Sequence, residues 1–167
     1  CVNDGTAESG EEVRNADVLQ QVIEGPGVQV ERFEAAPGRV SVVGRIEGSD
    51  PNAPSLCLMG HTDVVPVNAS GWREDPFGGD LIDGPDGPEV WGRGAVDMKG
   101  GIAACIAAAL DHLAENGGKP KGSISFLITG DEEDVSVNGT IKLLKWCAER
   151  GEKFDHCVLG EPSNVEV

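Results

Sequence analysis

Several apolar runs in this sequence end in side chains able to hold a metal ion. "LCLMG" leads into His61-Thr62-Asp63, and "VWGRGAV" into Asp97. "FLITG" leads into Asp131-Glu132-Glu133-Asp134, and "HCVLG" into Glu161-Pro162. Consecutive acids repel one another unless positive charge faces them, and a dication shared with His61 supplies it. One imidazole among carboxylates is a donor set that suits Zn²⁺, with Mn²⁺ or Co²⁺ as substitutes. A ligating imidazole commonly gives its second ring nitrogen to a carboxylate. In an extended His-x-Asp the two side chains share one side, so Asp63 can orient His61. Each residue also has a plainer role. A lone His after a strand is more often a structural hydrogen-bonding residue. Asp97 can cap the helix that follows it. Glu132, Glu133 and Glu161 can be solvated loop acids. The specific feature is their conjunction, each at the end of an apolar run.

Strands must bring these ends together. "VQVERF" and "RVSVVGRI" read as strands joined by a turn at Pro37-Gly38. "LCLMG" reads as a buried strand, "LIDGPDGPEVWGRG" as a hairpin, and "GSISFLIT" and "HCVLG" as further buried strands. "EEVRNADVLQQVIEG" has partly helical apolar spacing, with Ser9 and Glu12 as a capping box before it and Gly25-Pro26 as its stop. "MKGGIAACIAAALDHLAEN" and "TIKLLKWCAERG" complete the helices. Strands alternating with helices predict an α/β fold with a mostly parallel, mixed sheet flanked by helices. In such sheets ligands bind beyond the carboxyl ends of the strands.

The chain of 167 residues has 29 acids against 13 bases, a net charge of −16. That opposes nucleic acid or an anionic membrane as partner. No run approaches the roughly 20 apolar residues of a membrane span. The 5 cysteines are scattered, without zinc-knuckle spacing, and read as small buried hydrophobes. No basic, apolar leader is visible, so a cytoplasmic location is expected. "NAS" at Asn68 matches a glycosylation sequon, which carries little weight in that compartment. Trp72, Phe77 and Trp91 are expected to pack the long loop, and Arg93 to steady the turn before Asp97.

The blocks "GHTDVVP", "GRGAVDMKGG", "LITGDEE" and "VLGEPSN" resemble, in order and approximate spacing, those of one zinc metallopeptidase and amidohydrolase family. That family contains succinyl-diaminopimelate desuccinylase, acetylornithine deacetylase, aminoacylase and glutamate carboxypeptidase. The resemblance implies that His61 and Glu161 bind a first metal, Glu133 a second, and that Asp97 bridges them. It implies Asp63 as the orienting acid, Glu132 as general base, a cis Asp97–Met98 peptide, and two zinc ions per complete site. The implied substrate is a small N-acyl amino acid or short peptide, and the implied parent is a homodimer. The C-terminal half resembles the desuccinylase branch most, whereas the segment before Met98 resembles the broader peptidases. N-succinyl-diaminopimelate is therefore the expected substrate. The deacetylase, aminoacylase and dipeptidase activities are the nearest alternatives.

Residues 1–167 are expected to be the N-terminal portion of the catalytic domain, truncated before the lid and dimerisation domain. A further His that completes the second metal site in the family has no match here. His112 and His156 read as structural. Low activity and an exposed, aggregation-prone sheet edge are expected of the fragment. Asp134 stands where the family has Gly. A non-catalytic metal-binding fragment is the competing class. An acidic calcium module is disfavoured by the absence of a DxDxDG loop and by His61.

Overall fold

The computed structural model of the chain describes residues 1–6, 8–25 and 27–163. Pro26 of the expected helix stop and Asn164 of the last block lie outside the described residues. The main sheet has the order β1-β2-β6-β3-β7. It is built from β1 Val28–Ala36, β2 Arg39–Ile46, β3 Leu56–His61, β6 Ile124–Thr129 and β7 His156–Leu159. β1, β2 and β6 pair antiparallel, while β6, β3 and β7 are parallel. A separate hairpin joins β4 Asp80–Gly84 to β5 Gly87–Trp91.

Helices cover both faces. α1 Val13–Ile23 and α2 Gly100–Glu115 share one core with Val42, Ile46, Leu58, Phe126 and Ile128. α3 Thr140–Glu149 packs on the other face, where Leu143 and Cys147 meet Cys57 and Leu127. β6 is buried along its whole length, so both sides of its pleat are apolar or small. β3 lies between β6 and β7. The chain leaves β3 toward one neighbour and later returns to the other side, which opens a crevice at the carboxyl ends of the strands.

Some expectations need correction. β7 is exposed rather than buried, because it is the edge strand; Val158 and Leu159 are 49% and 57% exposed. The Ser9–Glu12 capping box does not form. Glu12 occupies the N-cap position without a side-chain cap bond. Its carboxylate instead sits fully buried against Arg39 at 2.8 Å, since a guanidinium is a stronger partner than a backbone amide. Only Cys57 and Cys147 are buried; burial pushes their thiols up to about 12 and about 11. Cys1 and Cys105 are half-buried and Cys157 is exposed. Arg93 does not steady the Asp97 turn through its side chain: the guanidinium lies over Trp72, 5.4 Å from the ring centre.

Candidate metal centre

β3 ends in His61, which is 1% exposed. Gly60 precedes it, and a Cβ there would lie 2.6 Å from Ile102 Cγ1 and 2.9 Å from Met98 Cε. Glycine therefore lets the start of α2 lie directly against the strand. The Asp97–Met98 peptide is cis, with Met98 fully buried. Asp97 does not cap α2, whose N-cap is Lys99. A second close approach brings in Glu161. A Cβ on Gly101 would lie 2.5 Å from the Gly160 carbonyl oxygen, so the backbones of α2 and the segment after β7 touch.

These approaches gather the acids around one ring nitrogen. His61 Nε2 lies 3.0 Å from Asp97 Oδ1, 3.5 Å from Glu161 Oε2 and 3.7 Å from Glu132 Oε2. Ligand atoms of His61, Asp97 and Glu133 all lie within 4.8 Å of one another. His61, Asp97, Glu132, Glu133 and Glu161 thus meet beyond the carboxyl ends of the parallel strands. His112, on α2, pairs locally with Asn116, and His156 opens β7 at the opposite end of the strands.

Asp63 contacts His61 mainly through its backbone. His61 Nδ1–H donates to the Asp63 carbonyl at 3.0 Å, and the carboxylate lies 3.5 Å away. This fixes the ring and turns Nε2 toward the acids. The fully buried Asp63 carboxylate also accepts from the backbone N–H of Glu132 and of Glu133, each at 3.0 Å. Burial alone would raise its pKa. Hydrogen bonds from His61, Asn3, Glu132 and Glu133 outweigh burial and hold it at about 2. Burial likewise pulls His61 down, but the hydrogen bond and charge of Asp63, with the charge of Glu132, raise it to about 9. Burial, then the Asp97 charge, raises both Glu133 and Glu161.

The acid loop depends on left-handed backbone at Asp131, Asp134 and Ser136, with φ of 58°, 63° and 53°. Asp134 thus adopts the conformation that glycine takes most easily. Sequence reasoning missed the residues beneath this loop: Asn3, Glu12 and Arg39, all buried. Buried polar side chains so far apart in sequence leave no periodic signal.

The donor set fits a divalent metal. An imidazole nitrogen faces several carboxylates, and such a cluster is stable only with a proton or a cation at its centre.

A mixed sheet with an imidazole and carboxylates converging beyond its parallel strands defines an α/β domain with a candidate metal-binding centre. Residues 57–167 match peptidase family M20/M25/M40, and the chain belongs to that family. Succinyl-diaminopimelate desuccinylase of Rhodopseudomonas palustris (strain TIE-1) is 58% identical over 153 residues, covering 90% of this chain and 38% of its own length. The enzyme of that name from Bradyrhizobium sp. (strain BTAi1 / ATCC BAA-1182) is 66% identical over 115 residues, 68% of this chain and 29% of its own. The chain thus spans well under half of these relatives. Similarity to the desuccinylases is not confined to the C-terminal half, since 90% of the chain is covered. Human carnosine dipeptidase 1 superposes with a TM-score of 0.67 at 26% identity, covering 92% of this chain and 32% of that one. The dipeptidase Dug1p of Saccharomyces cerevisiae, at 21% identity and a TM-score of 0.70, covers 89% of this chain and 33% of its own and shares the fold.

Proposed function

We propose that this chain carries the metal-binding half of an amide hydrolase acting on a small N-acyl amino acid, with N-succinyl-diaminopimelate as the substrate. The observation that carries the reading is the placement of Glu132. Its carboxylate is 43% exposed and 3.7 Å from His61 Nε2, beside the candidate ligands. Among the described residues its side chain accepts no hydrogen bond, which leaves its oxygens open to a water.

His61, Asp97 and Glu161 would hold one zinc, and Asp97 with Glu133 a second; cobalt or manganese would substitute. Bound zinc supplies Lewis acidity to water and to the amide carbonyl. Asp63 keeps the His61 ring oriented and holds the peptide carrying Glu132 and Glu133. Glu132 takes a proton from the attacking water and returns it to the leaving amine. One water is consumed, the acyl–nitrogen bond breaks, and a carboxylic acid and an amine leave. Similarity to the two desuccinylases supports the succinyl substrate over acetylated amino acids. The reading extends to a cytoplasmic, homodimeric parent protein, and to low activity in these residues alone. Among the described residues no helix is long and apolar enough to cross a membrane.

Zinc titration of the metal-free chain tests the site. About one tight zinc, lost in His61→Ala, is the expected result, and no zinc in the wild type overturns it. Substrate class is tested on a protein of the relatives' full length, by comparing succinate release from N-succinyl-diaminopimelate with acetate release from N-acetylornithine. Glu132→Gln should keep its metal and lose about 10²–10⁴-fold in turnover. Faster release of acetate would assign the deacetylase activity instead.

A further inference from the structure

A buried polar cluster lies beneath the acid loop, and the proposed chemistry does not use it. Asn3 is at its centre, 2% exposed. Its amide nitrogen lies 2.9 Å from Asp63 Oδ2, 3.0 Å from Asp131 Oδ1 and 2.9 Å from the Glu133 carbonyl oxygen. Its amide oxygen accepts from the Gly5 N–H at 3.1 Å and from Arg39 Nη2 at 3.3 Å. This fixes the orientation of the amide. A flipped side chain would set its oxygen against three acceptors and its N–H groups against donors.

We propose that Asn3 is a positioning residue for Glu133 and, through it, for the metal centre. The inference rests on the metal-site reading above. Glu133 is held at both poles of its backbone: its N–H donates to Asp63 and its carbonyl accepts from Asn3. One side chain therefore couples the acid that orients His61 to the residue that presents the last carboxylate. Asp131 extends the clamp. Its Oδ1 accepts from Asn3 while its Oδ2 accepts from the Asn138 N–H at 2.8 Å, which closes the loop on itself. Arg39 lies behind, 2.8 Å from Glu12 and 3.7 Å from Asp131 Oδ1, so that one buried cation faces Glu12 and the Asp131 carboxylate that Asn3 holds. The clamp fixes a loop whose left-handed residues would otherwise sample other conformations.

Alanine at position 3 removes the donor and leaves Asp63, Asp131 and the Glu133 carbonyl each short of a partner. Aspartate, of the same shape, sets a carboxylate against all of them. Ser55→Ala is the control. It removes side-chain bonds to Lys153 and Asp155 at the far end of β3, away from the site.

The experiment titrates zinc and cobalt(II) into the metal-free chain and its Asn3→Ala, Asn3→Asp and Ser55→Ala variants. Affinity and the visible cobalt spectrum are both read. The expected result is a loss in zinc affinity of about 10–100-fold for Asn3→Ala, a larger one for Asn3→Asp, and an altered cobalt spectrum in both. Ser55→Ala should lower stability and leave affinity and spectrum unchanged. Asn3→Ala with wild-type affinity and spectrum overturns the assignment while leaving the metal site standing. Equal losses in Asn3→Ala and Ser55→Ala also overturn it, since general destabilisation would then suffice. Wild-type protein that binds neither metal removes the metal site and this inference together.

Discussion

Asp63 grips Glu132 by the backbone: both of its carboxylate oxygens lie 3.0 Å from the Glu132 amide nitrogen. The acid expected only to orient His61 is also the anchor of the loop that carries the proposed base. Ring orientation and base placement therefore share one buried anion. Asp63→Ala should cost about 3 kcal/mol, because buried donors lose their acceptor. Zinc affinity should also fall by about 10–100-fold. Urea denaturation and zinc titration read the two effects separately.

Proton and metal compete for His61. Its folded pKa of about 9 lies above the ordinary value of 6.5. In the metal-free chain its stabilising contribution is therefore complete below about 6.5 and is lost as pH rises through about 9. Asp63 has the opposite sign. Held at about 2 against an ordinary 3.8, it contributes above about 3.8 and loses that contribution as pH falls through about 2. Metal-free protein should thus be most resistant to urea between roughly pH 4 and 6.5. Zinc uptake at pH 7 should release about one proton, with affinity rising up to tenfold per pH unit until about pH 9. Calorimetry in buffers of different ionisation enthalpy measures that proton. None released at pH 7 would mean that His61 is neutral in the metal-free site.

The strand ends, the order of the elements and the cis Asp97–Met98 bond were legible, because each sits inside a local pattern or a recognisable block. The floor of the site was not. Asn3 meets Asp131 across 128 residues and Arg39 meets Glu12 across 27, separations that no periodicity encodes. Glu12 even imitated a different local signal, that of a capping box. The exposure of β7 was hidden for a similar reason, since an apolar run does not state whether a neighbour covers it.

Arg39 is the cation of that floor. Arg39→Met would leave Glu12 buried and unpaired, and should cost about 3–5 kcal/mol. Adding Glu12→Gln should recover part of the loss, since the stranded charge goes with it. Thermal melts of the single and double variants form the cycle. A double variant no more stable than Arg39→Met would show that Glu12 is not what the arginine neutralises.

Gly101 tests the seam between α2 and the segment after β7. Gly101→Ala places a Cβ 2.5 Å from the Gly160 carbonyl oxygen, and overpacking of that kind costs about 1–3 kcal/mol. The shift should move Glu161 away from Asp97 and weaken zinc binding. The same substitution at Gly25, where a Cβ would meet nothing within 4 Å, should leave zinc affinity as it was.

The bond between Asn3 and Asp131 also sets an order of events. Joining residues 128 positions apart closes a long ring of chain that holds every strand of the main sheet except β7, at an entropic cost that nothing local offsets early in folding. A chain still emerging from the ribosome with Asp131 inside the tunnel has its imidazole but not its clamp. Competence to hold metal then waits on Asp131 and the acids around it, long after Asn3 and His61 have been made.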